Sequence, residues 1–202
     1  MAGLIVGVDP GQRRDPAGVA VLDGFDVVHL ERHLGLPYPE LAERVAVLLA
    51  QLPPGSLVAG ERPKYTGGGY AGRTLAEVEA IRSTPIVVDA TGVGRAMVDL
   101  LEALHLTPIA ATLTGGRRLR VRGREMSLPR HGFFRPLVAA VEVGRLRVAE
   151  GCPYRAELAQ ELLAARGGPA GAESRGAGHH GDLLVAVSLC LWWQGAVRLL
   201  TG

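Results

Sequence analysis

Two short apolar runs in this 202-residue chain each end on an aspartate. Leu4-Ile5-Val6-Gly7-Val8 leads into Asp9, and Pro85-Ile86-Val87-Val88 leads into Asp89. Aliphatic, β-branched runs bounded by turn residues read as buried strands. A third aspartate, Asp182, opens the longest apolar run, Leu183 to Trp193. That run is hydrophobic on every side, the pattern of a buried helix, and the helix dipole favours an acid at its first turn. Each aspartate also has a local explanation. Asp9 can open a turn with Pro10-Gly11, Asp89 can cap the helix that follows, and Asp182 can serve as an N-cap. Brought together, three carboxylates repel one another unless a cation sits among them, and hard oxygen ligands select Mg²⁺ or Mn²⁺.

The rest of the pattern predicts how such a meeting arises. After the Pro10-Gly11 turn, Gly18 to Leu22 reads as a returning strand; Asp23-Gly24 turns the chain again into a strand over Phe25 to Leu30. A helix introduced by Pro37 and Pro39 carries Leu41, Val45, Leu48, Leu49 and Leu52 on one face and stops at Pro53-Pro54-Gly55. A short strand at Leu57 to Ala59, a glycine-rich loop at Thr66 to Gly69 and a short helix over Thr74 to Ile81 follow. Beyond Asp89, the turn Ala90-Thr91-Gly92-Val93-Gly94 enters a helix over Arg95 to Leu104, with Met97, Leu101 and Leu104 on one face. A strand at Pro108 to Leu113 is next. Residues 115–130 show no period. A helix over Phe134 to Val143, a strand at Leu146 to Val148, and a helix over Arg155 to Ala165 built on Leu158, Leu162 and Leu163 complete the series. Residues 166–181 hold six glycines and read as a loop delivering the chain to Asp182. An antiparallel three-strand meander followed by alternating strands and helices predicts one α/β domain over residues 1–202. Its mixed sheet is flanked by helices, and ligands gather where strand ends converge.

Composition matters mainly through arginine. The net charge is only +2, yet all 22 basic residues except Lys64 are arginine. A GC-rich genome would give the same bias, but the planar guanidinium also suits phosphate oxygens. Arg117, Arg118, Arg120, Arg122, Arg124 and Arg130 crowd a segment poor in apolar residues. They predict salt-dependent, sequence-independent contact with a DNA backbone, against the plainer reading of a solvated charged loop. Arg13 and Arg14, just after Asp9, are placed to touch a scissile phosphate. Cys152 and Cys190 form neither a metal spacing nor a disulfide framework. A signal-peptide pattern is absent and no apolar run approaches the roughly 20 residues that span a bilayer, so a cytoplasmic protein without membrane contact is expected.

Three blocks carry a family resemblance. Val8-Asp9-Pro10-Gly11 with Asp15-Pro16-Ala17 resembles the opening hairpin of the nuclease domain of phage terminase large subunits. Val87-Val88-Asp89-Ala90-Thr91-Gly92-Val93-Gly94, running into Met97-Val98-Asp99-Leu100-Leu101, resembles that family's second acidic motif and is the most distinctive stretch. His179-His180-Gly181-Asp182-Leu183-Leu184-Val185-Ala186 resembles its last acidic motif, and Gly144-Arg145-Leu146-Arg147-Val148 an intervening segment. The resemblance implies an RNase H-like fold and a metal-dependent endonuclease that cuts concatemeric phage DNA during packaging. Asp9 would be shared by two divalent cations, with Asp89 and Asp182 completing one site each. The cations would lie roughly 3.5–4 Å apart for in-line attack on a phosphodiester. His179 or His180 would support a ligand or adjust protonation. The implied partners are double-stranded DNA and a packaging ATPase, portal or small terminase subunit, in a phage- or prophage-carrying bacterial cell.

Two departures qualify this. A Walker A motif ends in Gly-Lys-Ser/Thr, and the only lysine, Lys64, lies between Pro63 and Tyr65, so the ATPase motor is expected elsewhere. The chain then reads as an excised nuclease domain or a free-standing relative of one. Glu61, after a predicted short strand, is a further candidate metal ligand and resembles the arrangement of RuvC-type Holliday-junction resolvases. A junction resolvase and a non-catalytic DNA-binding or assembly module of the same fold are the alternative readings.

Overall fold

The structure, a computed structural model, describes residues 3–11, 15–52, 83–166 and 181–201. The strand, loop and helix expected between residues 57 and 81 lie outside the described residues, as do Arg13, Arg14, Glu61, His179 and His180.

The meander forms as the turn signals require. β1 (Leu4–Asp9), β2 (Ala17–Asp23) and β3 (Asp26–His33) pair antiparallel. Helix α1 (Tyr38–Gln51) follows, with Pro37 and Pro39 at its start and Leu41, Val45, Leu48 and Leu49 fully buried. β4 (Ile86–Asp89) runs parallel to β1, and helix α2 (Arg95–Ala103) leads to β5 (Pro108–Thr114), parallel to β4. The segment without sequence period is an antiparallel hairpin, β6 (Arg120–Arg122) and β7 (Glu125–Pro129), with β7 parallel to β5. Its short strands offer too few residues for a period of two to register. Helix α3 (Arg135–Glu142), β8 (Arg147–Val148), helix α4 (Arg155–Arg166) and helix α5 (Asp182–Thr201) follow. Among the described residues the sheet has eight strands, in the order β6-β7-β5-β4-β1-β2-β3-β8.

Alternation of side chains gives this sheet two separately packed faces. Val6, Val8, Val19, Val21, Ile86 and Val88 face α1 and α2. Ile5, Ala20, Leu22, Val87, Ile109 and Leu128 face the other side, covered by α3, α4 and α5. Helix α5 crosses β1 and β2 at backbone distance, because two glycines remove the side chains that would hold it off. A Cβ on Gly7 would collide with the Ala186 carbonyl oxygen, and one on Gly18 with that of Asp182. The Trp192 indole donates to the Phe133 carbonyl at 2.6 Å, tying α5 to the start of α3. Cys190 lies fully buried in this face and Cys152 nearly so; burial pushes both thiols above the usual range.

Three packing expectations change. Leu104 and Leu163 are 39% and 67% exposed, whereas Leu106 and Glu161 are buried. The chain turns at His105, which has a φ of 59°, and this carries Leu106 inward in place of Leu104. β3 also extends through the polar residues Glu31, Arg32 and His33 and contains a β-bulge: Val27 pairs with Leu22, but His29 pairs with Val21. Val28 is the extra residue, and beyond it the facing of β3 is inverted. Among the described residues, no helix is long and apolar enough to cross a membrane.

Candidate active site

Asp9 and Asp89 terminate neighbouring parallel strands, and both occupy positions that face α5: Asp9 follows Ile5 and Gly7, and Asp89 follows Val87. Asp182 is the first residue of α5, and Gly18 lets that turn rest directly on β2 beside the end of β1. Three distant parts of the chain thus bring their carboxylates to one sheet edge and one face.

Each carboxylate is held by a protein donor. The Gly11 N–H donates to Asp9 Oδ1 at 3.3 Å, in a turn where Gly11 adopts a φ of 60°. The Thr91 N–H donates to Asp89 Oδ1 at 2.9 Å, while the Thr91 hydroxyl accepts from the Leu113 N–H at 3.0 Å. The Arg32 guanidinium, on β3, donates to Asp182 Oδ2 at 3.4 Å. Tyr38, from α1, donates to the Gly11 carbonyl at 2.7 Å and steadies the same turn.

Electrostatics separates these acids from ordinary surface carboxylates. Asp9 is held well above its usual range, first by burial and then by the charge of Asp89, with Asp182 and Asp15 adding to it against the opposing Gly11 N–H. Burial raises Asp89 as well, moderated by its hydrogen bonds from Thr91 and by the charge of Arg130. Among the described residues, no three His, Cys, Asp or Glu side chains stand close enough to hold an ion as they are placed.

Sequence reading missed two residues here. Arg32 falls on a strand extension that carries no apolar alternation. Glu161 lies at a position of α4 where helical spacing favoured Leu162 and Leu163 instead, yet it is buried and its Oε2 accepts the Leu184 N–H at 3.0 Å. Burial, opposed by that hydrogen bond and reinforced by Asp182, pushes Glu161 up to about 7.

The predicted arginine cluster divides. Arg130, just past the end of β7, is near enough to Asp89 to lower its affinity for protons. Arg120 pairs with Ser127 and Arg122 with Glu125, on the sheet face opposite Val121 and Met126. Arg117, Arg118 and Arg120 line a shallow concavity with Thr114, Gly116 and Ser127. All six arginines are exposed, Arg124 in the hairpin turn among them.

No protein-family profile and no curated protein sequence matches the chain. Solved structures do. The large terminase nuclease from thermophilic phage G20c, in a structure with bound cobalt, aligns at 19% identity with a TM-score of 0.54, covering 94% of this chain and 80% of that one. A second structure of that nuclease gives 18% identity, a TM-score of 0.55 and coverage of 93% and 80%. The chain has the fold of a large terminase nuclease. A structure of the same relative with bound magnesium agrees, at 19% identity and a TM-score of 0.54 over 94% of this chain and 80% of that one. The RNase H-like mixed sheet expected from the acidic motifs is therefore the observed one.

Proposed function

We propose that this chain is a divalent-cation-dependent DNA endonuclease, acting as one domain and hydrolysing phosphodiesters at Asp9, Asp89 and Asp182. The observation that carries the reading is the convergence of these three acids on one face at one sheet edge, where Asp9 is destabilised as an anion by burial and by the other two. A site that makes its own carboxylates costly to ionise is matched to a positive ligand, and an all-oxygen donor set matches Mg²⁺ or Mn²⁺. The likeness to a nuclease solved with bound cobalt and with bound magnesium supports the same donor chemistry.

Asp9 would be shared by two cations, with Asp89 and Asp182 completing one site each. Bound there, the cations supply charge for the attacking water and the leaving 3′ oxygen. The chain's own residues do the rest. The Gly11 and Thr91 N–H groups aim Asp9 and Asp89, α5 presents Asp182, and Arg130 offers a cation to the DNA phosphate beside Asp89. The hairpin arginines Arg117, Arg118, Arg120, Arg122 and Arg124 would grip the backbone further from the cut, with Arg13 and Arg14 nearer to it. Glu61, His179 and His180 remain candidate auxiliaries to the metal ligands. The finer reading is terminase-like cutting of concatemeric duplex in a phage or prophage setting, with a separate packaging ATPase, portal or small subunit.

Cleavage of supercoiled plasmid in Mn²⁺ tests this. Asp9→Asn, Asp89→Asn and Asp182→Asn should each reduce cutting to background while circular dichroism stays native. Undiminished cutting by Asp9→Asn or Asp182→Asn would refute the site. Strong preference for four-way junctions over linear duplex would replace the terminase-like substrate with a junction.

A further inference from the structure

Arg32 and Glu161 bracket Asp182, and each carries an unmet hydrogen-bonding atom. Arg32 reaches Asp182 through one terminal nitrogen at 3.4 Å, a long contact, while its buried Nε has no partner among the described residues. Glu161 spends Oε2 on the Leu184 N–H, while its buried Oε1 has no partner among the described residues. One atom is a donor and the other an acceptor. The two side chains are close enough to feel each other's charge, and Glu161 also feels Asp182. A buried polar atom left unpaired is costly, so two complementary ones in one cluster mark an arrangement with a second, better-satisfied state.

We propose that Arg32 and Glu161 are a positioning pair for Asp182, in which Arg32 neutralises Asp182 while the site is cation-free and transfers to Glu161 when a divalent cation takes that carboxylate. The inference rests on the nuclease reading, because it needs a cation to compete for Asp182. Its physical basis is charge compensation around Asp182. A guanidinium released from one carboxylate and retained beside an incoming cation would repel it, unless a second carboxylate accepts the positive charge. Glu161 is fixed for that task by the α5 backbone itself, and both its partners in the exchange lie on the α5 face. Arg32 reaches that face only because the Val28 bulge inverts the outer half of β3.

Titration calorimetry with Mn²⁺ on the full chain tests the pair. Glu161→Gln keeps an oxygen for the Leu184 N–H and removes the acceptor charge. It should weaken Mn²⁺ binding roughly tenfold, the scale of coupling between charged neighbours. Arg32→Met should bind Mn²⁺ at least as tightly as the natural chain. Adding Arg32→Met to Glu161→Gln should restore the lost affinity, which a purely structural role for Glu161 would not allow. Thermal melting without cation identifies any variant that fails to fold, and Glu161→Asp then replaces Glu161→Gln as the weakened acceptor. Unchanged affinity in the Glu161 variant, or no rescue by Arg32→Met, overturns the pair alone. Absence of Mn²⁺ binding by the natural chain overturns the nuclease reading and the pair with it.

Discussion

Glu31 and Asp9 are both withdrawn from solvent on the same sheet, on opposite faces, and they are treated in opposite ways. Burial alone would raise Glu31, but His29 Nε2 lies 2.9 Å from one oxygen and His33 Nε2 2.8 Å from the other. Arg44 of α1 donates to both, through Nε at 2.8 Å and a terminal nitrogen at 2.5 Å. These donors outweigh burial and hold Glu31 far below the usual carboxylate range. Among the described residues Asp9 receives one backbone N–H and faces further acids, so burial prevails and its proton is held tightly. Burial does not set the character of a carboxylate; the supply of donors around it does. The α1 face uses its buried acid to bind a helix to the sheet, and the α5 face leaves its acids wanting positive charge.

The largest expected effect breaks the second half of this contrast. Asp9→Asn should lower Mn²⁺-dependent plasmid cleavage on the order of a thousandfold, the rate equivalent of a few kcal/mol of lost charge stabilisation. The same substitution should stabilise the cation-free fold. A raised carboxylate favours folding fully below its ordinary value of 3.8, and that contribution is lost as pH rises through the elevated one. At neutral pH, removing the charge should therefore raise the melting temperature by about 3 °C or more, read by calorimetry without metal. A lowered melting temperature would show that Asp9 is satisfied after all.

Breaking the other half should cost stability. Glu31→Leu leaves Arg44 without its carboxylate and should destabilise the fold by about 3 kcal/mol in urea titration, with Arg44→Met in the same chain recovering most of it. Gly18→Ala tests how the acids are brought together, since the new Cβ would press on the Asp182 backbone. A loss of roughly 1–3 kcal/mol with reduced cleavage is expected, and full activity would show that α5 can retreat without moving the site.

Acid should distinguish the faces more gently. The Glu31 contribution is complete above its ordinary value of 4.5 and fades as pH falls toward its depressed one. The stability gap between the natural chain and Glu31→Gln should narrow as pH drops below 4.5. A constant gap would mean that shape rather than charge holds α1. The smallest effect belongs to Arg130→Ala, which should weaken DNA binding a few-fold and reduce the salt slope by about 1.

Sequence alone carried the strands ending on Asp9 and Asp89, the apolar face of α1 and the buried α5, because each is written in a local period that burial imposes. It also carried the mixed sheet, since turn signals and alternation of element types constrain connectivity. The spacing of the hairpin arginines was legible, but the separation of Arg130 from the rest was not, because it depends on which strand pairs with β5. Leu163 and Glu161 exchanged their expected places because helical spacing does not reveal which neighbour supplies a backbone N–H to an acid. Most of all, the tertiary structure decided the facing of β3. A strict period of two would set Glu31 on the same face as Val27, yet Leu22 pairs with Val27 and Val19 with Glu31, on opposite faces. The bulge at Val28 is a matter of register between two strands, invisible in either one. It sends Glu31 to α1 and Arg32 to Asp182, and so makes the difference between the two faces.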